Sequence, residues 1–286
     1  MKPAPFDLLQ PASVEEAAAA LAAHGDDAVV LAGGQSLVPL LNLRLARPAV
    51  VVDIVRVPGL DGIAAGPGAQ GLVLGARVTQ ARALRSGEVG AAASLLAEAL
   101  RHVGHPATRA RGTVGGSAAH ADPAAELPAV LLALDGALVL TGPGGAQRTV
   151  PAAEFFLGPF ATARRGDELL TAVHLPAAPA GLRHGIHEVA RRRGDFALAG
   201  AAVACAPGGH ARVALFGVAP APFRAAAAEA ALAAGAPPAE VSALAAAAAD
   251  PHDDVHATAA YRRRAAGVAV ERAVAAALAL ASEARP

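Results

Sequence analysis

Leu31-Ala32-Gly33-Gly34-Gln35-Ser36-Leu37 and Gly112-Thr113-Val114-Gly115-Gly116-Ser117-Ala118-Ala119-His120 are the two stretches on which the reading of this chain turns. Each carries a glycine pair followed closely by a small hydroxyl residue, and each follows or flanks an apolar segment. Glycine lets backbone approach a ligand closely and adopt positive φ. Successive backbone N–H groups in such turns form concave anion sites. Two of them in one domain point to a clamp on a diphosphate. Ser36, Thr113 and Ser117 add uncharged donors, and Ser36 opens a short helix whose dipole favours an anion. Neither stretch is a dinucleotide fingerprint or a P-loop: Gly33-Gly34-Gln35-Ser36 lacks the third glycine, and no GxxxxGK[ST] occurs. Either pair taken alone also reads as a plain turn; their conjunction carries the ligand reading.

Working outward, Ser13-Val14-Glu15-Glu16 is a capping box that opens a helix ending at Gly25. Ala28–Leu31 is a strand feeding the first glycine pair. Residues 36–45 form a short amphipathic helix that tolerates Pro39 only near its first turn, and Val50–Ile54 is the next strand. A second unit begins with the strand Gly71–Gly75, after which Thr79 caps a helix over Gln80–Arg85. Helices follow at 91–103 and 127–134, and strands at 136–141 and 169–175. The cluster Ala177-Ala178-Pro179-Ala180-Gly181 reads as a linker. Beyond it, strands at 183–191, 199–206 and 211–217 form a meander, and helices at 225–234, 238–249 and 257–282 complete the chain. Strands followed by helices indicate an α+β arrangement.

Composition narrows the function. The 286 residues allow two domains. With 24 basic and 24 acidic residues, no basic excess advertises nucleic-acid binding. Hydrophobic residues make up 54%, yet many are alanine, and no apolar run approaches the roughly 20 residues of a membrane span. The N-terminus lacks a signal-peptide pattern, so a cytoplasmic protein without integral membrane association is expected. The single cysteine, Cys205, lies in an apolar strand pattern and excludes both an intramolecular disulfide and a cysteine-ligated iron–sulfur cluster within the chain. Absence of Trp and only one Tyr mean that backbone and aliphatic contacts must do most of any cofactor holding.

Several polar constellations have two readings. His252 and His256, with Asp253 and Asp254 between them, suit a metal by spacing but also suit a helix start, where acids complement the dipole. Asp122 is either a helix-start residue before Pro123 or an acceptor for a ribityl or ribose hydroxyl. Arg191-Arg192-Arg193-Gly194-Asp195-Phe196 is a solvated turn or a docking element for another subunit. No nucleophile elbow or cysteine nucleophile arrangement is present. A cofactor clamp without a reactive side chain means that the cofactor carries the chemistry.

Five ordered motifs then give a resemblance that covers nearly the whole chain. Residues 32–45 resemble the first FAD diphosphate loop of the medium subunit of aerobic carbon monoxide dehydrogenases, within the molybdenum hydroxylase and xanthine dehydrogenase family. Residues 111–128 are similar to its second loop, and Gly75-Ala76-Arg77-Val78-Thr79 to the strand-to-helix turn between them. Arg192-Arg193-Gly194-Asp195-Phe196-Ala197 and Tyr261-Arg262-Arg263-Arg264 match motifs of its C-terminal domain.

The resemblance implies an α+β fold: a two-part FAD-binding domain of the vanillyl-alcohol-oxidase (PCMH) type over 1–176, with sub-parts of about 1–56 and 57–176, then a smaller α+β domain over 177–286. It implies a flavoprotein oxidoreductase subunit that passes electrons from the iron–sulfur clusters of a partner through FAD to an external acceptor. The implied partners are a small [2Fe–2S] subunit and a large molybdenum-cofactor subunit, assembled as a dimer of heterotrimers. By motif, Ala32, Gly33, Gly34, Gln35, Ser36 and Leu37 together with Thr113, Val114, Gly115, Gly116 and Ser117 clamp the diphosphate. Asp122 holds the ribityl side, and Leu170 lies near the flavin. The chain departs from the family at two positions. Ser117 stands where relatives often carry Asn, which removes one hydrogen bond and about 1 kcal/mol of affinity. His187 matches a position where many relatives carry a flavin-proximal lysine. Two alternatives share the fold: a self-sufficient FAD-dependent oxidoreductase, or a non-enzymatic scaffold subunit that has lost flavin.

Overall fold

The computed structural model describes residues 2–66 and 71–283; residues 284–286 of the expected second domain lie outside them. The first unit is β1 (Asp7–Leu9), α1 (Val14–His24), β2 (Ala28–Leu31), α2 (Leu37–Asn42) and β3 (Val50–Asp53). Its strands pair in parallel in the order β1-β3-β2. Ser13 caps α1 by accepting from the Glu16 N–H, and Glu16 returns to the N–H of Ala12, one residue earlier than a standard capping box. The apolar side of α1 (Ala17 and Leu21) packs on Val50, Val52 and Ile54.

The second unit contains β4 (Ile63–Ala65), β5 (Leu72–Gly75), α3 (Gln80–Arg85), α4 (Gly87–Ala92), α5 (Ser94–Ala99), α6 (Pro106–Arg111), α7 (Val114–His120), α8 (Glu126–Ala133), β6 (Ala137–Thr141), β7 (Gln147–Pro151), α9 (Ala152–Phe155), β8 (Phe156–Gly158), β9 (Ala161–Thr162) and β10 (Leu169–Leu175). Its main sheet is antiparallel, β4-β5-β10-β6-β7, and β8-β9 form a separate hairpin. The helix expected over 91–103 is instead two short ones. Ala93 leaves helical geometry at φ −147°, ψ 56°, and its carbonyl restarts the ladder by accepting from Leu96 and Ala97. Leu169 on β10 faces the core of the first unit while Leu170 faces the second, so alternation along one strand joins the two.

The remainder comprises β11 (Arg183–Ala190), β12 (Ala197–Ala206), β13 (His210–Phe216), β14 (Phe223–Arg224), α10 (Ala226–Ala233), α11 (Pro238–Ala248) and α12 (Ala259–Glu283). The sheet β11-β12-β13-β14 is an antiparallel meander. Both faces of β12 are covered. Ala199, Ala201, Val203 and Cys205 pack toward α10–α12, and Ala202 and Ala204 pack toward the core around α8. Small side chains there let the helices approach, and Cys205 is a buried packing residue whose thiol burial pushes upward in pKa.

The acids between His252 and His256 serve the chain entering α12. Asp254 accepts from the N–H groups of His256 and Ala257 and pairs with Arg262 at 2.6 Å. Asp253 accepts from the Ala259 N–H. Among the described residues no group of His, Cys, Asp and Glu is arranged to hold a metal, and no helix is long and apolar enough to cross a membrane.

Candidate functional site

The two glycine stretches meet. A Cβ on Gly33 would overlap the Arg111 carbonyl oxygen and lie 2.8 Å from the Gly112 Cα, so backbone rests directly on backbone. Gly116 also neighbours the first stretch, but at ordinary contact distance: its ideal Cβ lies 3.7 Å from that of Ala32. The segment after β5 supports both. The Gln80 N–H donates to Gly112 (2.8 Å), the Val114 N–H to Val78 (2.9 Å) and the Gly115 N–H to Ala76 (3.1 Å). A bridge between Thr79 and Thr113 completes the contact. Three stretches separated by dozens of residues thus form one site.

The two pairs differ in kind. Gly34 has φ +72° and makes a true turn between β2 and α2. The N–H groups of Gly33, Gly34, Gln35, Ser36 and Leu37 have no protein acceptor among the described residues. Of these residues Gly33, Gly34 and Gln35 line a cavity of about 550 Å³, together with Leu31, Ala32, Val38, Pro39, Asp53, Val55 and Arg111. Gly115 and Gly116 instead lie inside the first turn of α7. Their N–H groups are used within the protein, by Ala76 and by the hydroxyl of Thr113, which caps the helix at 2.9 Å from the Gly116 nitrogen. Gly115 is glycine because Ala76 leaves no room, a Cβ there lying 2.5 Å from the Ala76 Cβ, whereas a Cβ on Gly116 would lie 2.7 Å from the Thr113 hydroxyl oxygen. An open row of N–H donors beside a cavity of this size suits a diphosphate-bearing cofactor.

Of the other sequence-selected residues, Ser36 and Gln35 are exposed at the mouth, and the Gln35 amide turns back to the Gly33 carbonyl at 3.3 Å. Ser36 occupies the residue before α2 without capping it through its side chain. Asp122 follows Ala121, which has φ +51°, and accepts from the Ala124 N–H at 2.8 Å. Asp122 does not start a helix: α8 begins at Glu126 with Ala125 as its uncapped N-terminal neighbour, and the Asp122 bond closes a local turn over Pro123. Its second oxygen has no partner among the described residues. Leu170 is buried on β10 opposite Leu140, one residue before Thr171, whose carbonyl accepts from the Ala76 N–H. His187 accepts from Arg272 at 3.1 Å, and burial followed by that guanidinium holds its pKa low. In the arginine turn, Arg192 pairs with Asp195 at 3.0 Å while Phe196 is exposed.

Asp53, Val55 and Arg111 were not singled out from sequence. The signal was present for Asp53, a polar residue ending an apolar strand, because ligands gather at the carboxyl ends of parallel strands. Leu31 and Asp53 are those ends in β2 and β3.

Both parts of the chain match known protein families. Residues 4–178 match the FAD binding domain in molybdopterin dehydrogenase, and residues 185–277 match the CO dehydrogenase flavoprotein C-terminal domain. The chain is 45% identical over 202 residues to 6-hydroxypseudooxynicotine dehydrogenase complex subunit alpha of Paenarthrobacter nicotinovorans, covering 71% of this chain and 67% of that protein. It is 40% identical over 228 residues to the carbon monoxide dehydrogenase medium chain of Hydrogenophaga pseudoflava, covering 78% of each. The structure of carbon monoxide dehydrogenase from that organism superposes with a TM-score of 0.91 at 40% identity, over 98% of this chain and 99% of that one.

Proposed function

The chain belongs to the FAD-binding medium subunits of the molybdenum hydroxylases, an oxidoreductase family that acts in multi-subunit complexes, and from that premise we propose that it relays electrons within such a complex. They arrive from the iron–sulfur clusters of a small [2Fe–2S] subunit, after substrate oxidation in a large molybdenum-cofactor subunit, and leave to an external acceptor. The assembly is a dimer of such heterotrimers. Bound FAD supplies the ability to take electrons one at a time and to release them to that acceptor.

The observation that carries this reading is the convergence of the 32–37, 75–80 and 111–117 segments beside a cavity lined by free N–H groups. In it, the N–H groups of Gly33–Leu37 and the Ser36 hydroxyl hold the diphosphate. Thr113, Val114, Gly115, Gly116 and Ser117, which follow the lining residue Arg111, complete the clamp from behind it. The free oxygen of Asp122 receives a ribityl hydroxyl, and Leu170 backs the flavin. The FAD-binding part spans 1–176, in sub-parts of about 1–56 and 57–176, and the second domain 177–286. The family-model ranges and the step from β10 to β11 support that division.

Two relatives at 45% and 40% identity carry names that specify chemically unrelated substrates, a nicotine derivative and carbon monoxide. That supports a relay whose substrate is selected in another chain. Rapid mixing of the reduced small subunit with this chain tests the route: flavin absorbance falls as cluster absorbance recovers. Flavin reduction that proceeds equally fast from the large subunit and its substrate with no small subunit present would contradict it.

A further inference from the structure

Resting on the FAD reading above, we propose that Arg111 is the counter-charge for the cofactor diphosphate. Among the described residues that line the cavity, only Asp53 and Arg111 carry ionisable side chains. The Asp53 carboxylate is engaged, accepting from the Val55 N–H at 3.0 Å and from the Gln10 amide at 3.0 Å. The neighbouring arginines are engaged as well. Arg109, on the same helix, donates to the carbonyls of Val103 and Gly104, and Arg77 donates to that of Val57 at 2.6 Å.

The Arg111 guanidinium has no carboxylate or carbonyl partner among the described residues, and Arg111 is exposed. Its backbone is nonetheless fixed. It closes α6, its carbonyl rests on Gly33, and the following Gly112 is held by the Gln80 N–H. An exposed, unpaired guanidinium on an anchored backbone beside an N–H row is the arrangement a diphosphate needs. The N–H groups supply directional but uncharged donors, whereas the ligand carries two negative charges that they do not neutralise. A planar guanidinium bonds phosphate oxygens in pairs, which an ammonium does not.

The test compares wild-type, R111Q and R111K proteins, each as the complete chain in complex with its co-purified subunits and stripped of flavin. FAD and riboflavin are titrated at low and high salt. R111Q is expected to weaken FAD roughly tenfold, with R111K intermediate. Riboflavin, which has no phosphate, is bound equally by all three, and the salt dependence of FAD binding becomes shallower in R111Q. FAD affinity within about twofold of wild type in both variants, or equal losses for FAD and riboflavin, would overturn the assignment of Arg111 while leaving the FAD site intact. A wild-type complex that takes up no FAD would instead remove the reading on which the assignment rests.

Discussion

Gly33 rests so closely on Arg111 that any side chain at position 33 would overlap the Arg111 carbonyl oxygen. This contact fuses two sequence-distant loops into one wall. The obstructing atoms are backbone, so relief requires moving β2 away from α6. Gly33→Ala is therefore expected to lower stability by about 1–3 kcal/mol and to weaken FAD more than tenfold. Urea unfolding and flavin titration of the variant check both. Gly34→Ala, strained by φ +72° and crowding only the side chains of Val38 (3.0 Å) and Leu31 (3.3 Å), should cost about 1–2 kcal/mol.

Gly115 makes the corresponding contact in the second stretch. Its ideal Cβ lies 2.5 Å from the Ala76 Cβ, and its N–H donates to the Ala76 carbonyl. Gly115→Ala should push α7 off the segment after β5 and destabilise the chain by about 2 kcal/mol. Amide hydrogen exchange reports it directly: protection of the Val114 and Gly115 amides falls while that of β12 is retained.

A buried acid sits between the two domains. Glu126 on α8 is 7% exposed, and burial above all, with repulsion from Glu188 and Asp122, pushes its pKa from the usual 4.5 to about 7. His102 lies 3.4 Å from one oxygen of Glu188, whose other oxygen is buried without a partner. Its hydrogen bond to Glu188 raises the His102 pKa against the effect of burial, with Glu126 and Glu98 adding attraction. Both raised groups favour the folded state when protonated. Their contribution is complete below the unfolded pKa of each and is lost as pH rises through the folded one. Stability should thus decline from about pH 5 upward past 7, with Glu126 responsible for on the order of 3 kcal/mol. The Glu126→Gln protein, neutral at every pH, should show a flatter Tm profile over this interval. An unchanged slope would rule out Glu126 as the source.

Arg262 explains one family motif in structural terms. It is 8% exposed and donates to the carbonyls of Leu198 (2.7 Å) and Gly217 (3.1 Å) as well as to Asp254. It ties α12 to β12 and to the turn after β13. Arg262→Met removes the side-chain donor from two half-buried carbonyls and the ion-pair partner from Asp254, which keeps its two N–H bonds, and should cost about 2–3 kcal/mol, whereas loss of the neighbouring exposed Arg264 should stay within about 0.5 kcal/mol. Thermal denaturation of the two variants distinguishes them.

Sequence patterning revealed the elements with strong local signals. Leu169–Leu175 has a clear apolar alternation, α1 and α3 have hydroxyl caps, and the β11–β13 meander is bounded by Gly and Pro, so each lies close to its expected place. Strands β1, β4, β8, β9 and β14 span only two or three residues each, and tertiary pairing alone makes them strands. The helix at Pro106–Arg111 is a single six-residue element without a hydroxyl cap. Within the site, the first glycine turn was legible because a positive-φ turn needs glycine. The second pair drew attention for the same residue type but for a different physical reason. Gly115 is small to admit Ala76, a contact across the fold that no local pattern encodes. Arg111 and Asp53 went unnoticed because their significance arises only when the ends of β2 and β3 come to face α6.

The central claim is that this chain holds FAD at the junction of its two glycine segments. Its most direct test is the flavin content of the complex purified with the wild-type chain and with Gly33→Ala, measured by extraction and absorbance. One FAD per copy of wild-type chain, and a large loss of flavin in the variant with the other subunits still bound, is the predicted result. A wild-type complex free of flavin, or a Gly33→Ala complex that retains its full complement, would contradict the account.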